Sequence, residues 1–196
     1  MLVDQKAPDL ITSRWLNDGE STGVGNEFSQ WLSDQLGKVV VIHAFQMLCP
    51  GCVSHSIPQA KKMYDLFPQE KVAIIGLHSV FEHHDVMNEL ALKAFIHEYR
   101  IPFPVAIDQP QADSDIPLTM SLYRMQGTPT LIVIDKQGII RLNHFGRLDD
   151  MVVGSFVSQL IYETSAQDNI DSQQQELTKR GKNKNTLACD EKGCSL

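Results

Sequence analysis

Apolar positions in this chain fall in short dense runs separated by turn residues, and two of the runs are rich in β-branched side chains. Lys38-Val39-Val40-Val41-Ile42-His43-Ala44-Phe45 lies between Gly37 and a Cys-Pro-Gly-Cys segment, the pattern of a strand buried on both faces. Lys71 to Val80 reads the same way. Between them, residues 49 to 67 predict a helix that Pro58 interrupts, because proline lacks the N–H and crowds the preceding turn. Val86 to Tyr99 repeats its apolar residues near a helical period. Pro104 to Asp108 predicts a short strand and Pro117 to Met125 a short helix. Thr130 to Asp135 and Ile139 to Phe145, joined by Lys136-Gln137-Gly138, predict a hairpin. Asp149 to Tyr162 predicts a closing amphipathic helix. The order β-α-β-α-β-(α)-β-β-α calls for an α/β domain with a mixed central sheet and helices on both faces.

The ends of the chain read differently. Residues 1–37 predict an irregular arm ending in a short helix around Phe28, Trp31, Leu32 and Leu36, stopped by Gly37. The domain proper is expected over 38–164. Residues 165–196 hold no aromatic, a glutamine run and a basic cluster (Lys179, Arg180, Lys182, Lys184), the composition of a polar, solvated tail. The whole chain carries a net charge of −7, so no positive field gathers nucleic acid or anionic lipid. The first residues lack a secretory signal pattern, and no window reaches the roughly 18 to 20 apolar residues of a membrane span. The expectation is a cytoplasmic protein with neither nucleic acid nor membrane as partner.

The four cysteines come as two pairs, Cys49/Cys52 and Cys189/Cys194. Cys-x-x-Cys occurs in both zinc half-sites and redox pairs, but zinc needs four ligands, set on knuckles and loops. Here the motif sits where a buried strand runs into a helix. There the unpaired N–H groups of the first turn and the helix dipole favour a thiolate at Cys49. Cys52, three residues on, lies on the same face within disulfide reach. Gly127-Thr128-Pro129-Thr130 directly precedes a predicted strand, and a proline entering a central strand makes Thr128-Pro129 a candidate cis bond. Packed beside the dithiol, this loop would keep metal away and offer an edge to a substrate segment.

Those residues resemble a known family. The segment from Val40 to Cys52, with Pro58 six residues beyond, looks like the active-site segment of the thioredoxin superfamily. The stretch from Gly127 to Gly138 is most similar to the TlpA-like redoxin, AhpC/TSA-related branch, and residues 78–103 match that branch's inserted helix. The resemblance covers roughly 38–162 and implies a thioredoxin-like fold and thiol–disulfide exchange. Cys49 would attack, Cys52 resolve, and Thr128-Pro129 lie beside them as the cis-proline loop. Partners would be protein disulfides or dithiols and an electron donor, with no cofactor beyond the redox-active disulfide and no metal. The Pro50-Gly51 dipeptide is not the usual thioredoxin pair, and two single positions also depart from the family pattern. Leu48 replaces the usual tryptophan, and His43 occupies a buried acidic or amide position, where a neutral imidazole can accept the Cys52 proton.

Two other classes stay open. A peroxiredoxin-like thiol peroxidase would carry Thr or Ser three residues before its reactive cysteine, and this chain has Gln46. A redox-sensing or metal-binding module without catalysis is the other. His78, His83 and His84 read as surface or strand residues rather than metal ligands. Cys189 and Cys194 form a possible second dithiol that exchanges with Cys49 across the 24 residues that follow Thr164.

Overall fold

The computed structural model describes residues 2–17 and 31–163. In chain order the elements are β1 (Thr12–Leu16), α1 (Trp31–Asp34), β2 (Val39–Phe45), a π-helical turn (Cys52–Ser56) continuous with α2 (Ile57–Leu66), β3 (Val72–His78), α3 (Glu89–Glu98), β4 (Val105–Asp108), α4 (Leu118–Leu122), β5 (Thr130–Ile134), β6 (Ile140–Phe145) and α5 (Asp150–Tyr162). All seven residues of β2 are buried. A strand with no polar face belongs in the middle of a sheet, and β2 pairs in parallel with β3 and antiparallel with β5. The sheet order is β1-β4-β3-β2-β5-β6, the mixed sheet that the alternation of elements calls for.

Alternate residues of β2 feed two core layers. Val39, Val41 and Phe45 pack with side chains of α2, α3 and α5, among them Ile57, Leu92 and Val157. Val40, Ile42 and Ala44 pack on the other face with Trp15, Leu32, Met120 and Tyr123. Helices therefore cover both faces. In β3, a Cβ on Gly76 would come within 3.0 Å of Phe45 and 3.3 Å of Phe103, so the strands close here only around a glycine.

Three expectations are corrected. The described residues 2–17 are not an irregular arm: β1 pairs antiparallel with β4. At the opposite edge, Asp4 N–H donates to the Ile140 carbonyl (2.8 Å) and Ile140 N–H to Gln5 (2.9 Å). This segment thus lines both margins of the sheet and protects edges that would otherwise present unpaired backbone. The third helix starts at Glu89, not Val86, because Asn88 is extended and its side chain caps the Ala91 N–H at 3.1 Å. The helix after Cys49 is widened, where a kink at Pro58 was expected. Ile57 N–H reaches back five residues to Cys52, and Pro58, which has no N–H to place, follows in the first turn of α2. Phe28, Cys189 and Cys194 lie outside the described residues.

Candidate active site

Helical backbone begins at Pro50, a residue preorganised for the first helical position. Cys49 precedes it and acts as an N-cap through sulfur: the Cys52 N–H donates to Cys49 Sγ at 3.2 Å. The Cys49 amide donates to the Gln46 carbonyl at 3.2 Å, and the Val53 amide to the Cys49 carbonyl at 3.1 Å. Cys49 is half-buried and Cys52 fully buried, both as free thiols. Burial pushes the Cys52 thiol up to about 12; its hydrogen bond with Cys49 adds to the rise, while the Gln46 backbone and Thr128 pull against it. The two sulfurs are therefore unequal. Cys52 stays protonated at neutral pH, and Cys49 is the one a partner can reach.

The Thr128–Pro129 peptide bond is cis, and the Cys49 thiol donates to the Thr128 carbonyl at 3.4 Å. Thr130 Oγ1 donates to Gly127 O (2.7 Å), closing the turn before the strand. Gly146 N–H, just after β6, donates to Pro129 O at 2.8 Å. Opposite Pro129 stands Gly51, where a Cβ would lie 3.3 Å from the proline Cδ. The glycine of the Cys-Pro-Gly-Cys turn is thus the space that lets the proline loop approach the dithiol.

His43 shares the β2 face of Val41 and Phe45, whose core layer includes Cys52. Burial lowers it to about 4, so it is neutral. Its Nδ1 is 3.1 Å from Ser56 Oγ, and its buried Nε2 has no hydrogen-bond partner. Among the described residues His43 makes no hydrogen bond to Cys52. Ser56 escaped the sequence reading; its sole signal is its place four residues after Cys52. Gly146, across the hairpin from Pro129, had none, because only the folded sheet brings it there.

A second polar group lies beyond the carboxyl ends of β3 and β4. Buried Asp108 accepts Ser79 Oγ (2.8 Å), Thr119 N–H (2.8 Å) and Met120 N–H (2.9 Å), anchoring the start of α4. Desolvation outweighs these bonds and raises its carboxyl to about 6. His78 is buried with its ring 5.3 Å from that of Phe45. His83 and His84 lie in the loop that follows β3, and among the described residues no three His, Cys, Asp or Glu side chains converge on a metal position.

Comparison with known proteins agrees with this architecture. A thioredoxin-like superfamily protein of known structure is 49% identical, with a TM-score of 0.74 over 82% of this chain and 98% of its own. A thiol-disulfide isomerase from Corynebacterium glutamicum is 46% identical, with a TM-score of 0.73 over 82% and 98%. Among curated proteins, thiol-disulfide oxidoreductase ResA of Halalkalibacterium halodurans is 26% identical over 62% of this chain and 61% of its own length. DipZ of Mycobacterium bovis is 30% identical over 79% of this chain and 20% of its own length. The chain therefore spans only part of these curated relatives. The AhpC/TSA family profile matches residues 3–143, and with the dithiol at a helix start and a thioredoxin-like sheet beneath it, the chain belongs to the AhpC/TSA family.

Proposed function

We propose that the protein is a thiol–disulfide oxidoreductase acting on protein disulfides, with Cys49 as nucleophile and Cys52 as resolving thiol. The Cys49 thiolate attacks one sulfur of a substrate disulfide, forming a mixed disulfide and releasing the other sulfur as thiolate. Cys52 then gives up its proton and attacks Cys49 Sγ, which frees the second substrate thiol and leaves the Cys49–Cys52 bond. Two electrons pass to the substrate, and a dithiol donor restores the pair. No metal or organic cofactor takes part. His43 is the acceptor assigned to the Cys52 proton on its place, since it shares the β2 face of the core layer that holds Cys52 and has an unpartnered Nε2; burial, which lowers it to about 4, makes it a weak base that holds the proton only in passing. Thr128 and Pro129 hold the substrate segment beside Cys49.

The observation that carries this reading is the inequality of the sulfurs. Cys49 Sγ is half-buried and receives a helix-start N–H at 3.2 Å, whereas Cys52 is buried behind it. Insulin-disulfide reduction tests it. Wild type should turn over with a dithiol donor and Cys49→Ser should lose the activity; a wild type unable to reduce insulin contradicts the proposal.

A thiol peroxidase is the second reading, favoured by the AhpC/TSA match. Against it, the buried Gln46 amide occupies the place where a peroxide-binding hydroxyl is needed. Hydrogen-peroxide consumption in the same preparation separates the two.

A further inference from the structure

Beside Pro129, between the π-helical turn, α2 and the residues after β6, lies a cavity of about 210 Å³. It is next to the chemistry: Pro129 lines it, and Gly146, also on its wall, donates its N–H to the Pro129 carbonyl at 2.8 Å. The volume takes a short side chain and several waters, at about 30 Å³ per water. Neither cysteine lines it, so the reaction itself leaves it unassigned.

Its titratable lining is His43, His55, Lys62, Arg147 and Asp150. Asp150 is engaged at both oxygens, by Gln59 Nε2 (2.9 Å) and Lys62 Nζ (2.7 Å), so it and Lys62 compensate each other. His43 is neutral. Ser54 Oγ donates to the Pro50 carbonyl (2.7 Å) and lies 2.6 Å from His55 Nδ1, so the hydroxyl accepts from the His55 Nδ1–H. Arg147 remains: among the described residues it makes no hydrogen bond and no close ion pair, although its charge is felt by Asp150, and it is exposed. On a protein of net charge −7, the cavity beside the dithiol loop thus sets two cations, Lys62 and Arg147, against the single carboxylate of Asp150. Two further features define the ligand. The buried, unpartnered His43 Nε2 leaves hydrogen-bonding capacity in the lining. Pro129, Leu131 and Leu148 supply apolar wall for a methylene stem.

We propose that this cavity receives a carboxylate carried next to the substrate's disulfide, with Arg147 as the residue that sets this preference. A guanidinium fork matches one carboxylate, whereas a phosphate dianion would keep an uncompensated charge. The inference rests on the exchange reading above and names its substrate class: peptide disulfides with an acidic group beside the reactive cysteine. That group is an acidic side chain of a polypeptide, or the free carboxylate of a small peptide disulfide such as oxidised glutathione.

Binding of redox-inert peptides tests it apart from turnover. The peptides carry serine for the reactive cysteine and glutamate or glutamine beside it, and anisotropy reads their affinity for the full chain. S-methylglutathione, which has no disulfide to exchange, and its fully esterified form are compared as competitors. Wild type should favour the carboxylate member of at least one pair about fivefold, a modest factor because Arg147 is exposed, and the pair discriminated identifies the source. Arg147→Glu should abolish or invert the preference. Equal affinity within both pairs for wild type, or a preference that survives Arg147→Glu, overturns the inference. Loss of insulin reduction would refute the exchange reading alone, because these affinities need no chemistry.

Discussion

Acidification should destabilise the fold through two histidines kept neutral by burial. His43 and His78 are both lowered from 6.5 to about 4. Between those values the unfolded chain binds protons that the folded chain refuses, so stability falls as pH drops through the window. From pH 7 to pH 5 each histidine costs about 2 kcal/mol. Asp108 works the other way. Its folded value is raised from 3.8 to about 6, so the folded state gains protons first, returning about 1 kcal/mol over the same interval. Glu89 and Asp150, both lowered by lysine partners and neighbouring hydrogen bonds, lose their contribution mainly below pH 5. The net expectation is a loss of about 2 to 3 kcal/mol. Urea denaturation at pH 7 and pH 5 measures it. His43→Asn leaves a polar group near Ser56 but removes the titration, so its pH 7 to pH 5 difference should be smaller than that of wild type by about 2 kcal/mol. An unchanged difference would mean that His43 accepts its proton in the folded state, and the argument from burial would be wrong.

Three further outcomes follow from particular contacts. Iodoacetamide at neutral pH should label Cys49 and spare Cys52, which is fully buried and raised to about 12; peptide mapping reads the order, and equal labelling would refute the assignment. Gly76→Ala should cost about 1 to 3 kcal/mol, since its Cβ would meet Phe45 at 3.0 Å; an unchanged denaturation midpoint would show that the aromatic ring yields freely. Gly51→Ala should leave stability nearly unchanged but slow insulin reduction several-fold, because its methyl would press on Pro129 at 3.3 Å; full activity would separate that contact from function.

Much of this molecule is legible in its sequence because its central strands are buried on both faces. β2, β3 and β5 read as continuous apolar runs, and the Cys-Pro-Gly-Cys turn and Pro129 stand at their ends. Periodicity also places the helices, though it misplaces the start of α3, where the single hydrogen bond of Asn88 decides the boundary. β1 escapes because it is an edge strand of five residues with Trp15 as its one buried position, and its register shifts between Thr12 and Arg14. A short half-exposed strand shows no period to detect. The π-helical turn is foreshadowed only as a disturbance at Pro58. What the sequence hides most fully is long-range polar pairing. Asp108 with Ser79 and Thr119, His43 with Ser56, and Gly146 with Pro129 are set by the sheet order, and local pattern carries no trace of it.

The central claim is that Cys49 attacks and Cys52 resolves, and trapping the intermediate tests it most directly. Incubated with disulfide-bonded insulin under non-reducing conditions, Cys52→Ser should accumulate a covalent adduct. Mass mapping should place the linkage at Cys49, and Cys49→Ser should form none. An adduct through Cys52 in Cys49→Ser, or no adduct at all in Cys52→Ser, would contradict the account.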